Sequence, residues 1–169
     1  MKLVFRIERK LLERIRADLR RPHPFAHERV GFISAKAGAL PADGVTILAV
    51  DYHPVADDHY LNDPRVGAMM GSAAISKALE IAYGAKASMF HVHLHEHAGT
   101  PRFSSTDTRE SAKFVPDFFK VAPKMPHGAL VWSHDRAVGR CWLPATRQPV
   151  ELSDVVEIGA PLRFRWWKK

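Results

Sequence analysis

The stretch SMFHVHLHEH, residues 88–97, alternates histidine with apolar residues, and this alternation restricts what the chain can build. Successive side chains of a strand point to opposite faces, so Val92 and Leu94 share one face while His91, His93 and His95 share the other. The apolar face demands a core on one side of the strand. The histidine face demands something rarer, because each buried imidazole is a polar ring that needs a partner. A row of four, counting His97, is expensive for ordinary packing, so the strand is expected to carry chemistry as well as structure.

The rest of the chain supplies the layers. KLVFRI (2–7) alternates as a short strand, and Leu11, Leu12, Ile15 and Leu19 then recur at helical spacing up to the stop at Pro22 and Pro24. VGFISA (30–35) and VTILAVDYH (45–53) read as strands around the turn AGALPADG, and DDHYLNDPRVG reads as irregular chain. MGSAAISKALEIA (70–82) is a second helix with Ile75, Leu79 and Ala82 on one face, and SSTDTRESAKF, opening at Ser104, is a third. GALVWS (128–133) and VGRCWLP (138–144) flank a turn at His134–Asp135 as a hairpin. With 169 residues and no repeat or linker, the expectation is one α+β domain over 1–169, a mixed β-sheet flanked by helices.

Several function classes drop out. No apolar run nears the roughly 18 residues of a membrane span, and the first residues lack a secretion signal, so a cytoplasmic setting without membrane contact is expected. Cys141 is the only cysteine, which excludes an internal disulfide and any cysteine-rich zinc site. The net charge of +7 and the closing RFRWWKK suit either a nucleic-acid partner or a solvated basic face with an edge strand, Phe164 and Trp166 turned inward. Charge alone does not decide, and nucleic acid is not the expected partner.

Alternate strand residues lie roughly 6.5–7 Å apart, close enough for two imidazoles to lean onto one metal ion. A third ligand has to come from another element. Asp107 fits, because Ser104 as an N-cap puts it in the first turn of the third helix, aimed back at the strand. Hydrolysis also needs a carboxylate to move a proton, and HPFAHERVGF offers Glu28 just before a strand, although such a residue is by itself more readily a plain surface group than a catalytic one. Other templates fail: there is no His-Glu-x-x-His, no Pro-Cys-x-x-Cys, no Gly-x-Ser-x-Gly and no phosphate loop, and the chain is too short for an amidohydrolase barrel.

Glu28 in HERVGF, His93-Leu94-His95 and Ser104-Ser105-Thr106-Asp107 together resemble the JAB/MPN domain with its JAMM metalloprotease motif, and the resemblance runs over about residues 1 to 145. It implies a cytidine-deaminase-like sheet with flanking helices and a Zn²⁺ ion on His93, His95 and Asp107. It also implies Glu28 as general base then acid, and Ser104 as hydrogen-bond partner of the oxyanion or water. The implied activity is hydrolysis of the amide or isopeptide bond after the C-terminal glycine of a ubiquitin-like protein. The setting it implies is a bacterial conjugation or sulfur-carrier system, with E1-like and E2-like proteins as possible partners. The chain departs from the family in having Leu94 and Glu96 where a hydroxyl residue and a proline are usual. It also has eight residues, not seven, between His95 and Ser104, which leaves His95/His97 as a second candidate ligand pair. In the first register, His91 is expected to hydrogen-bond a group that orients a ligand. A non-catalytic MPN scaffold and a nucleic-acid-associated protein are the alternatives.

Overall fold

The computed structural model describes residues 1–41, 43–159 and the backbone of 163–167. The chain starts with β1 (Leu3–Glu8) and turns directly into α1 (Arg9–Leu19), where the Glu8 side chain accepts the Leu11 N–H as an N-cap. β2 (Val30–Leu40) and β3 (Gly44–Pro54) form a long antiparallel hairpin. A short 3-10 turn (Asp57–His59) leads into β4 (Tyr60–Leu61), which pairs with β5 (Met69–Met70). α2 (Ser72–Ala85) delivers the chain to β6 (Ser88–Leu94), and α3 (Ser105–Phe114) follows after a loop. A 3-10 segment (Val115–Lys120) leads to the β7 (His127–Trp132) and β8 (Ala137–Trp142) hairpin, then β9 (Pro149–Glu151), β10 (Asp154–Ile158) and β11 (Arg163–Trp167).

All strands except β4 and β5 join one nine-stranded mixed sheet in the order β11-β10-β1-β3-β2-β6-β7-β8-β9. β6 lies between β2, antiparallel, and β7, parallel. Both its edges are therefore paired, and its two faces govern the layers. One face carries Phe90, Val92 and Leu94 into a core with Phe5, Ile7, Ile33 and the α1 residues Leu12, Ile15 and Leu19. The other face carries Met89 toward Phe32, Phe118 and α2.

The expected α+β class and mixed sheet with three helices are present, and among the described residues no helix is long and apolar enough to cross a membrane. Four details differ. AGALPADG is not a simple turn, because β2 runs on to Leu40 and the reversal tightens to Leu40–Gly44. The buried line of α2 is Ala74, Ala78 and Ala82, with Ile75 and Leu79 on its flank; small side chains bring that helix close to the sheet. DDHYLNDPRVG has regular structure in it, the 3-10 turn and β4, and its Asp57 is held by Arg29 while the Gly67 carbonyl accepts the His27 and Glu28 N–H groups. β9 and β10 follow the hairpin where no element was expected. β11 is an edge strand, one of the two readings that RFRWWKK left open, while the placement of the Phe164 and Trp166 side chains and the ends Lys168 and Lys169 lies outside the described residues.

Candidate metal centre

Strand register brings the first carboxylate to the histidines. Val30 of β2 stands opposite His93 of β6, and continuing that antiparallel register puts Glu28 across from His95. One donor atom each from Glu28, His93 and His95 lies within 4.8 Å of the others. His93 is buried at 2% exposure, and His95, just past the end of β6, is held in line by its N–H donating to the Trp132 carbonyl at 2.8 Å.

The Ser104 and Asp107 expectation is met in its local geometry. Ser104 caps α3 as half of a capping box, its Oγ accepting the Asp107 N–H at 3.0 Å while its own N–H donates to Asp107 Oδ2 at 2.7 Å. The same Oδ2 lies 3.6 Å from His93 Nε2. Asp107 thus reaches the cluster through His93, while the tightest three-donor set contains Glu28 in its place. His97 falls outside that set. It is exposed, its N–H closes a tight turn onto the His95 carbonyl at 2.8 Å, and its Nδ1 lies 2.8 Å from the Ala98 carbonyl.

These distances test whether a zinc ion fits. Tetrahedral coordination at about 2.0–2.1 Å separates neighbouring donors by about 3.3 Å. His93 Nε2 and His95 Nε2 are 3.2 Å apart, and His93 Nε2 to Asp107 Oδ2 is 3.6 Å. Two imidazole nitrogens facing each other at that spacing repel unless a proton or a cation stands between them. The charge states agree: burial, then the neighbouring His93, lower the His95 pKa against the pull of Glu28 and Asp107, which favours the neutral ligand form. Burial alone would raise the Asp107 carboxyl, but contact with His93 and the Ser104 hydrogen bonds outweigh it and hold it well below the usual carboxylate range.

His91 departs from expectation. Its Nε2 is buried and has no hydrogen-bond partner, because the ring is packed edge-on against Phe32 and Phe114 instead of meeting a polar group. Burial pushes its pKa down to about 3, so it stays neutral.

Gly67 and Arg29 are site residues that the sequence did not single out. The Gly67 carbonyl accepts the N–H of His27 at 2.8 Å and of Glu28 at 3.0 Å. A Cβ on Gly67 would lie 2.8 Å from Glu28 Cδ and Oε2, so the β4–β5 connection rests on the carboxylate with no room for a side chain. Arg29, 3% exposed, donates to the carbonyls of Arg21 and Pro22 and to Asp57, fixing the backbone beside Glu28. The lone signal for Gly67 was a glycine closing a polar run, and nothing local tied it to Glu28 across 39 positions. The cluster opens into a cavity of about 450 Å³, lined by Glu28, His91, His93, His95, Ser104 and Asp107 together with apolar side chains of β5, α2 and α3.

No known family and no curated protein matches this chain. Among solved structures, the STIL N-terminal domain of Trichoplax adhaerens is similar over 80% of this chain at 10% identity, with a TM-score of 0.39. The chain spans 40% of that structure's length. A likeness that loose assigns neither a fold family nor an activity.

Proposed function

We propose that the protein is a zinc-dependent amide hydrolase of the JAMM type, of the JAB/MPN fold. What carries this reading is the convergence of Glu28, His93 and His95 within 4.8 Å, with Asp107 held 3.6 Å from His93 by a helix cap. His93, His95 and Asp107 would hold the ion, with Glu28 as the carboxylate beside it. When bound, zinc supplies a Lewis acid that polarises a carbonyl and makes water nucleophilic near neutral pH. Glu28 takes the proton from the attacking water and passes it to the departing amine. The Ser104 hydroxyl accepts the Asp107 N–H and keeps its own proton to donate toward a developing oxyanion. The substrate that the motif resemblance supports is the C-terminal glycine tail of a ubiquitin-like protein, cut from a precursor extension or a conjugated target in a bacterial, cytoplasmic system.

The test is zinc content and turnover on one preparation. The protein is expected to hold one zinc per chain and to cut a ubiquitin-like protein fused through its terminal glycine to a reporter. Glu28→Ala is expected to lower the rate on the order of 10²–10⁴-fold while zinc and fold are kept. An active protein without stoichiometric zinc, or a Glu28→Ala variant as fast as the parent, removes the mechanism.

A further inference from the structure

The cavity at the metal cluster is larger than amide hydrolysis beside a glycine requires. It measures about 450 Å³, while an apolar cavity of about 150 Å³ is enough for a benzene ring. Past the donor cluster its wall has an apolar part, built from Val30 of β2, Met69 and Met70 of β5, Ile75 of α2, Phe114 of α3 and Ala129 of β7, and a charged part that includes Arg65, Arg109, Glu110 and Lys113. The apolar residues come from five elements around β6. Met70, Ile75 and Phe114 are only partly buried, so they hold apolar surface toward the opening as well as toward the core. Pockets of this kind, mostly apolar with a few convergent polar groups, are ligand sites.

A glycine on the acyl side of the scissile bond has no side chain to enter the space. The first side chain next to the scissile bond is therefore that of the other partner. Resting on the hydrolase reading above, we propose that the amine released by this site carries a large apolar side chain, aromatic or long aliphatic, which lies in the cavity during cleavage. In the reaction the C–N bond breaks, the oxygen of water joins the acyl carbon as a carboxylate, and both protons of that water end on the amine, which leaves as an ammonium group. A large apolar residue following the glycine fits a linear extension removed from a precursor. A lysine ε-amine brings a slender stem that covers less of the apolar part of the wall than an aromatic ring does.

Two probes separate the pocket from the metal. Phenylacetohydroxamic acid and acetohydroxamic acid share one zinc-binding group and differ by a phenyl ring. Calorimetry on the zinc-loaded protein is expected to give the phenyl compound at least tenfold tighter binding. Ile75→Trp and, separately, Met70→Trp fill the wall and are expected to erase that difference with acetohydroxamic acid binding unchanged; two variants guard against one that misfolds. In parallel, N-acetyl-Gly-Gly-Phe-amide is expected to be cut after the second glycine at least tenfold more efficiently than N-acetyl-Gly-Gly-Lys-amide. Equal affinities for the two hydroxamates, a preference that survives both tryptophan variants, or lysine cut as well as phenylalanine overturns the pocket while the metal reading stands. Failure to take up zinc overturns both.

Discussion

At the scale of single residues, the deciding fact is which two imidazoles face each other. His93 and His95 do, with Nε2 atoms 3.2 Å apart, while His97 is exposed in the loop, its ring centroid 5.9 Å from that of His95. His93→Ala leaves one imidazole and is expected to lose zinc and activity together, because a ligand set reduced by one no longer holds the ion well. His97→Ala is expected to keep zinc and lose only a small factor in rate. Metal analysis of the two variants side by side checks this, and a zinc-free His97→Ala next to a zinc-loaded His93→Ala reverses the assignment. Gly67 makes a second prediction. A methyl group there meets the Glu28 carboxylate at 2.8 Å, and the carboxylate must move. Misplacing a catalytic group by about 1 Å costs up to about 10²-fold in rate, so Gly67→Ala is expected to be slowed about 10–100-fold with zinc retained. A turnover equal to the parent's means that Glu28 is not fixed by this contact. The histidines were legible because their alternation is local. Gly67 was not, because its meaning lies in a contact made only after folding.

At the scale of elements, α3 shows why the placement of Asp107 beside His93 could be read from sequence. A Ser followed three residues later by a carboxylate is a capping pattern, and both reciprocal bonds are formed. The helix start and the placement of Asp107 are therefore one feature. Ser104→Ala removes the acceptor of the Asp107 N–H and is expected to cost about 1 kcal/mol, lowering Tm by about 2–4 °C for a chain of this size. Zinc affinity is expected to fall only a few-fold, because the backbone N–H of residue 104 still holds Oδ2. Calorimetric unfolding and zinc titration of the variant check the two effects; unchanged Tm means that the cap contributes nothing. β4 and β5 teach the opposite lesson. Two-residue strands have no period to detect, and the polar segment DDHYLNDPRVG that contains β4 reads as irregular chain. They are ordered because Gly67 and Tyr60 dock on the chain around Glu28 and Val30: the Tyr60 hydroxyl accepts the Val30 N–H at 2.8 Å and donates to the Val30 carbonyl at 3.2 Å.

At the scale of the whole molecule, the sheet is tied across β6 and β7 by a second buried histidine with no part in the Glu28–His93–His95 cluster. His127 has no exposure; its Nδ1 accepts the Met89 N–H at 3.1 Å, and its Nε2–H donates to the Ala122 carbonyl at 3.0 Å. Phe118 stacks on the ring and Phe119 meets it edge-on, so the site is both dry and fully satisfied in the neutral form. A proton on Nδ1 would put two N–H groups face to face. Burial accordingly pushes the His127 pKa down to about 4, from an ordinary value of 6.5. Between these values the unfolded chain binds a proton that the folded chain refuses, so stability rises with pH. The contribution is fully present above about pH 6.5 and is lost as pH falls toward 4, at about 1.4 kcal/mol per pH unit. Between pH 7 and pH 5 this predicts a loss of about 2 kcal/mol from this one residue. The measurement is urea unfolding of metal-free protein at both pH values, beside His127→Gln, which keeps a donor and an acceptor but no titrating ring. The parent is expected to lose about 2 kcal/mol more than the variant over that interval, and equal losses would show that protonation of His127 does not drive acid unfolding.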